Sequence, residues 1–389
     1  MRVGVDATSW ANRRGFGRFA RNVVPRLVEL DRETTYVFFF GGSENGSPPF
    51  PPRAERRPVP LERTSAEGPG AGAGRHPLDL LRLARAVSRS NLDAFLFPSV
   101  YSYFPVLRVP TVIGLHDTTA ERHPELLFAT RKDRLFWRAK QGLALRLADR
   151  FFAVSVAARD AVAADLGLDP ARIPVVGEAP DPVFSPRARD EVEAALEAVG
   201  LGPDEPYLMY AAGLSPHKNV ETLLAAVARA NAAVRLVLAG DLDGDPYLSA
   251  AGSIRERIAA LGLGKRVMLP GYVPDDQLAA LYTGAAAAVV PSLSEGFGLP
   301  AVEAAACRAP VVLSELPAHR ETLGDAALFF PPRDVGALTE RIERLVADAD
   351  LRRSLGAAAR DAAARLSWDA SAERLRKVIA DAVRGNPDA

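Results

Sequence analysis

Short apolar runs, each composed as though buried on both faces, recur along this chain with helical stretches between them, and the scheme appears twice. In the first half the runs are "VGVD", "TYVFFF", "LDAFLFP", "TVIGLHD" and "RFFAVS". Stretches such as "RFARNVVPRLVEL" and "LDLLRLARAVSRS" separate several of them with helical spacing. In the second half "PYLMYAAG", "VRLVLAG", "RVMLPG", "AAAAVVPS", "PVVLSE" and "AALFFPP" repeat the pattern. Strands covered on both faces and alternating with helices fold as parallel sheets of right-handed βαβ units. The expected class is α/β, with two tandem Rossmann-like domains. A length of 389 residues suits two cores rather than one.

The boundaries follow from composition. Residues 1–180 read as the first domain, 181–205 as a linker and 206–366 as the second domain, with a final helix in 367–389. Prolines cluster at "GEAPDPVFSPRARD" (177–190) before an acidic helix, which places the join there. The Gly-, Pro- and Ser-rich segment 41–77 reads as a flexible insertion, with "RRPVP" as a possible short strand. Pro25 is expected to kink or shorten the first helix.

A hydrophobic share of 48% and a charged share of 25% are those of a folded, water-soluble protein. No apolar run approaches the roughly 20 residues of a membrane helix, and the start does not read as a signal peptide. The single cysteine, Cys307, excludes an internal disulfide and a cysteine metal cluster. A cytoplasmic protein is expected. Net charge is zero, yet residues 1–180 hold 26 Lys and Arg against 19 Asp and Glu, and the remainder 22 against 29. A basic half and an acidic half suggest domains facing different partners. Nucleic acid is not among them, because the aromatics do not alternate with the basic residues as a stacking platform needs.

The stretch "PSLSEGFGLPAVEAAA" (291–306) carries the chemistry. Pro300 suits the first turn of a helix, and Glu303 would then fall in that turn. Free N–H groups there, with the positive dipole end, form an anion site. Gly296 and Gly298 let a ligand approach the backbone, past a strand end where open α/β sheets bind ligands. A carboxylate beside a bound phosphate is repelled unless it accepts hydrogen bonds, and a ribose diol offers two. Glu295 would suit a second polyol. The ligand inferred is a phosphate with hydroxyl-rich groups on both sides, a nucleotide-sugar. The alternative is that Glu303 complements the helix dipole and Glu295 is a loop acid. A second anion site lies in "AAGLSPHKNVETLLAAV" (211–227), where Asn219 can cap a helix. Lys218 stands at that helix start, where a cation belongs only if an anion sits between.

With these residues in place the chain resembles the family-4 glycosyltransferases, retaining enzymes of the GT-B fold, in which two Rossmann-like domains face a central cleft. The E-x7-E motif stands as the family has it in Glu295, Gly296, Phe297, Gly298 and Glu303. The flanks "GYVPDDQLAALYTGAAAAVVPS", with Tyr272 and Val273, and "PVVLSELPAHRETLGDAALFFPP" look equally typical. The resemblance implies that Glu303 holds the donor ribose. It gives the sugar hydroxyls to Glu295 and the turn Phe297–Leu299, including Leu299, and the diphosphate to Lys218. Many members carry an arginine where this chain has Gly213, and "SPHKN" is closer to the branch reading "EPRKN", with His217 in place of an arginine. In the first domain Gly15, Gly17 and Arg18 match a glycine loop near the diphosphate or acceptor. His116 and Asp117 match a position facing donor sugar and acceptor, and a structural His beside a capping Asp is the alternative. Ser155 lies where family members approach the cleft, although capping the next helix explains it equally.

The implied activity is transfer of a hexose, such as mannose or glucose, from a UDP- or GDP-linked donor to a hydroxyl of a glycan, lipid-linked or small-molecule acceptor. Glu295, Lys218 and His116 would be the catalytic residues, with no metal and no further cofactor. The acidic run "DLDGD" (241–245) begins like a calcium loop, but its twelfth position is Gly252. The resemblance also implies that the final helix, with Trp368, Leu375, Ile379 and Val383 at helical spacing, packs back on the first domain. The basic stretch 131–150 reads either as a surface for anionic lipid, giving peripheral contact with the inner membrane face, or as a core-packed helix with a solvated face. Other readings stay open: a nucleotide-sugar epimerase or sugar phosphorylase on the same fold, a non-catalytic nucleotide-sugar-binding protein, or a dinucleotide oxidoreductase.

Overall fold

A computed structural model of the chain describes residues 1–12, 15–41, 49–61, 76–231, 234–240 and 251–385. It divides into two units, Met1–Glu178 with Ser367–Ala389, and Ala179–Leu366. Each is built on a six-stranded sheet in which every pair of neighbouring strands is parallel.

The strands of the first unit are β1 (Arg2–Asp6), β2 (Thr35–Gly41), β3 (Glu55–Val59), β4 (Ala94–Phe97), β5 (Thr111–Leu115) and β6 (Arg150–Ala153). Their spatial order is β3-β2-β1-β4-β5-β6. Those of the second are β7 (Tyr207–Ala211), β8 (Arg235–Ala239), β9 (Val267–Gly271), β10 (Ala287–Val290), β11 (Val311–Ser314) and β12 (Leu328–Phe330), in the order β12-β11-β10-β7-β8-β9. Counted within each unit, both orders are the 3-2-1-4-5-6 of a doubly wound nucleotide fold. The winding reverses between β1 and β4 in the first sheet, and between β7 and β10 in the second. Central strands such as β4 and β10 are buried along their whole length, as their unbroken apolar composition requires.

Three expectations change. Within 41–77, residues 49–61 are part of the fold. β3 pairs with β2 from Val37↔Glu55 to Gly41↔Val59, and Phe50 packs its ring against Trp10, Phe38 and Phe40. Pro58 is tolerated because β3 is an edge strand. Residues 42–48 and 62–75 of that segment, and the acidic run 241–245, lie outside the described residues. Pro25 does not cut its helix short, since Gly15–Leu30 runs through it, burying Phe19, Val23, Val24 and Leu27. Residues 181–205 belong to the second unit rather than forming a linker, and the acidic helix foreseen there is present. That helix, Arg189–Ala198, packs against the helix Asp275–Gly284, and the Arg187 amide donates to Thr283 Oγ1 at 3.2 Å.

The last helix, Trp368–Arg384, is part of the first unit and lies along the helix Gly15–Leu30. Ser367 caps it, accepting from the Ala370 amide. Trp368 meets Phe19 edge-on at 6.0 Å between ring centres. Arg374 Nη1 donates to the Val176 carbonyl at 2.8 Å, and Leu375 and Ile379 are buried. Their 3.6-residue periodicity is what turns one face inward.

Candidate functional site

In the second unit the segments after β7 and β10, the two strands flanking the reversal, are stitched together. Asn219 Nδ2 donates to the Pro291 carbonyl at 2.9 Å, and the Leu293 amide donates to the His217 carbonyl at 2.8 Å. Lys218 Nζ meets Glu295 Oε1 at 2.7 Å. Asn219 is not the conventional cap expected of it. It sits in the left-handed region at φ 56, which asparagine tolerates better than most residues. Its side chain spans to Pro291 and accepts from Thr222 Oγ1 at 2.8 Å, without capping a backbone amide.

Behind the ion pair runs a polar chain that the sequence does not announce. Ser292 Oγ donates to Glu295 Oε1 at 2.7 Å. Ser314 Oγ, at the end of β11, donates to the Ser292 carbonyl at 2.6 Å. His319 Nδ1 lies 2.9 Å from the Ser314 carbonyl. Burial alone would push the Glu295 carboxyl up. Lys218 above all, with a hydrogen bond from Ser292, holds it below the usual carboxylate range, so it is ionised at neutral pH. Burial pushes His319 down against the pull of Glu295, and its ring is neutral.

The helix after β10 is Leu299–Ala306, and Gly298 precedes it at φ 92. Only glycine adopts that conformation at little cost. A Cβ there would also stand 2.9 Å from His319 Cδ2. Pro300 falls in the first turn, as expected. Glu303 does not: with the helix starting at Leu299 it occupies the second turn, and it is buried. Ala301 and Val302 donate back to the Gly298 carbonyl, so the amides of Gly298 and Leu299 precede the helix's first internal bond. Phe297 and Leu299 are buried, Gly296 half-buried.

Gly213 is exposed after β7, its carbonyl accepting from Tyr210 Oη at 2.7 Å, and His217 is half-buried in the same segment. Tyr272 and Val273 follow β9, two strands from β7 at the sheet edge. Tyr272 is exposed and Val273 buried. The structure therefore gathers Lys218, Glu295 and the Gly296–Leu299 turn into one place and sets Tyr272 and Val273 further out.

In the first unit, Gly15 and Gly17 lie not in a loop but in the helix Gly15–Leu30. Gly17 has a packing reason: a Cβ there would fall 2.0 Å from the Asn12 carbonyl oxygen, which accepts from Arg21. Arg18 is half-buried on the same helix. His116 follows β5. Its Nε2 lies 2.7 Å from the Pro98 carbonyl, its Nδ1 3.7 Å from Glu178 Oε1, and its ring meets Phe19 edge-on. Burial pushes its pKa down. Nε2 is thus engaged by the Pro98 carbonyl, while Nδ1 faces Glu178 beyond hydrogen-bond distance. Asp117 accepts from the Thr119 amide at 2.8 Å and from Tyr101 Oη at 3.3 Å, so it organises a turn. Ser155 caps the helix Val156–Leu166, accepting from the Ala158 amide at 2.8 Å. Glu178, Ser292, Ser314 and His319 were not foreseen, and single residues of common type outside a motif carry no signal that would have marked them.

Two parallel-sheet units of one winding, with a cation, a carboxylate and a helix start at the reversal point of the second, define a GT-B fold. Residues 192–362 match the family described as glycosyl transferases group 1, and residues 13–182 match glycosyltransferase family 4. The chain belongs to the glycosyltransferases that these two models describe. It is 29% identical to the D-inositol 3-phosphate glycosyltransferase of Streptomyces bingchenggensis over 95% of this chain and 85% of the relative. Among solved structures it resembles sucrose-phosphate synthase from Thermosynechococcus elongatus, with a TM-score of 0.77 and 21% identity over 97% and 98% of the two chains. It also resembles HepE of Anabaena, solved with UDP and glucose, with a TM-score of 0.75 and 18% identity over 98% and 100%.

Proposed function

We propose that the enzyme moves a hexose from a UDP- or GDP-linked donor to a hydroxyl group, with retention of configuration, and that the donor sits at the segments after β7 and β10. The observation that carries this reading is the Lys218–Glu295 pair at 2.7 Å beside the Gly298 helix start. It sets a cation and an ionised carboxylate side by side. A diphosphate needs the first, and sugar hydroxyls need the second.

As the glycosidic bond to the diphosphate breaks, positive charge develops at the anomeric carbon and negative charge on the leaving phosphate. Lys218, which keeps donors to spare beyond its bond to Glu295, and the amides at the helix start would stabilise the growing negative charge. Glu295 orients the sugar through its hydroxyls, and Glu303 takes the ribose diol. The acceptor hydroxyl attacks from the face the diphosphate leaves, and the leaving phosphate takes its proton. Lys218 carries most of the neutralisation, because Gly213, in the same segment, supplies no charge. Neither a metal nor a further cofactor enters this scheme, so transfer should survive chelation by EDTA.

The acceptor is a hydroxyl of a glycan, lipid-linked or small-molecule acceptor. Support for a surface-bound acceptor comes from the helix Arg131–Leu147. Trp137 is buried, while Leu135, Phe136 and Leu143 are exposed among Arg131, Lys132, Arg134, Arg138 and Arg146. Such a face suits the interface of an anionic membrane. No helix among the described residues is long and apolar enough to cross one.

The donor is tested by thermal shift with UDP, GDP, ADP and dTDP and their hexose conjugates, followed by transfer to lipid-linked oligosaccharide. One conjugate should stabilise the protein and be consumed, and Glu295→Gln and Glu303→Ala should each lose transfer. A protein indifferent to every nucleotide would refute the reading.

A further inference from the structure

We propose that His319 is a ligand-contacting residue of the donor site, its Nε2 accepting a hydrogen bond from a hydroxyl of the sugar that the nucleotide carries. The inference rests on the nucleotide-sugar reading of the same site and adds to it a residue outside the E-x7-E motif.

The ring's orientation is fixed from one side. Nδ1 lies 2.9 Å from the Ser314 carbonyl, and a carbonyl only accepts, so Nδ1 carries the proton. In a neutral imidazole Nε2 is then a lone pair, an acceptor and not a donor. Glu295 and Lys218 are the charged groups that act on the ring, in opposite directions, and burial keeps it neutral. His319 is fully buried, and Nε2 has no hydrogen-bond partner among the described residues. A buried acceptor left unmade is costly, and native proteins seldom keep one without a reason.

Where this nitrogen points supplies the reason. Nε2 is 3.2 Å from the place a Cβ would occupy on Gly298, the residue that opens the helix Leu299–Ala306. The ring edge therefore lies against the turn whose amides and carboxylate form the donor site. It is tied to that carboxylate through Ser314, Ser292 and Glu295. An unprotonated nitrogen repels phosphate oxygens and attracts hydroxyls. Of the parts of a nucleotide-sugar, the sugar near Glu295 matches it.

Two variants separate contact from packing. His319→Asn keeps an amide N–H near the position of Nδ1, and so the bond to Ser314, but has no atom at Nε2. His319→Gln reaches further and restores a polar atom there. Binding is measured by calorimetry for the full-length wild type and both variants, with UDP, GDP, UDP-glucose, UDP-galactose, UDP-N-acetylglucosamine and GDP-mannose. Melting curves establish that each variant is folded. His319→Asn should bind the preferred nucleotide-sugar about tenfold more weakly, a loss expected of one buried hydrogen bond. It should bind the matching free diphosphate within twofold of wild type, and His319→Gln should recover part of the loss. With deoxy analogues of that donor sugar, the variant's deficit should vanish for one position. Unchanged binding of the nucleotide-sugar by His319→Asn overturns the proposal and leaves the donor reading intact. An equal loss for diphosphate and nucleotide-sugar also overturns it, since the contact would then lie on phosphate. A wild type that binds none of these probes overturns the donor reading, and His319's role with it.

Discussion

Lys218 and Glu295 do the most for the site at the lowest cost in chain length, and they are exposed to only 17% and 11% in their side chains. Removing one partner of so enclosed a pair leaves the other charge poorly solvated, a loss on the order of 3 kcal/mol. Lys218→Ala should therefore lower stability in urea titration as well as weaken diphosphate binding about 10–100-fold, as a charged contact is worth about 1.5–3 kcal/mol. The pH dependence has a definite sign. Glu295 is held below its ordinary value, so the pair's contribution is complete above the unfolded carboxylate pKa of about 4.3 and fades as pH falls through the lower folded value. The melting-temperature gap between wild type and Glu295→Gln should be widest at neutral pH and shrink towards pH 3. A constant gap would count against the pair. Cys307 makes a second residue-scale test: burial, helped by the charge of Glu303 and opposed by that of Arg187, pushes its thiol up to about 12. It should resist a thiol reagent at pH 8 until the protein is unfolded. At this scale the sequence was informative where residue type is itself chemistry, as at Lys218, Glu295 and Gly298. It failed where backbone conformation decides. Nothing in the letters says that Gly298 takes φ 92 and starts the helix one residue on, which carries Glu303 into the second turn. His319 was invisible because its role comes from β11 and the helix Pro317–Leu323, which begins 19 residues beyond Gly298.

Elements were far more legible, because an unbroken apolar run of four to seven residues has one main way to be buried in an α/β chain. Every such run quoted from the sequence forms a strand, and "RRPVP" supplies most of β3. What escaped was the partner of β3: it pairs with β2, and Phe50 just before it packs on the Trp10–Phe38 cluster, an anchor hidden by Gly- and Pro-rich surroundings. The helix Trp368–Arg384 can be tested as an element. Trp368→Ala should destabilise the protein by about 3–5 kcal/mol, the cost of emptying a buried aromatic site, in equilibrium denaturation. The helix Arg131–Leu147 makes the opposite prediction. Phe136→Glu and Leu135→Glu alter exposed positions and should leave melting within a degree or two. They should also remove co-sedimentation with anionic vesicles at low salt. Wild-type protein that fails to sediment at any salt would end the membrane proposal.

At the scale of the whole chain, one winding is used twice, and the two copies are differently charged: residues 1–180 are basic and the rest acidic. The reversal point of the second sheet carries the cation, the carboxylate and the helix start. At the end of β5 in the first unit, His116 and Asp117 are tied into the protein's own framework. This division was readable from the repeated pattern, whereas the place of the last helix beside Gly15–Leu30 is a tertiary fact that periodicity alone does not give. Hydrogen exchange across the full chain, with and without the nucleotide-sugar that stabilises it most, tests the central claim most directly. Slowed exchange at 213–219 and 292–302, abolished together in Lys218→Ala, is the predicted result. Protection that appears elsewhere and leaves both segments unchanged would contradict it.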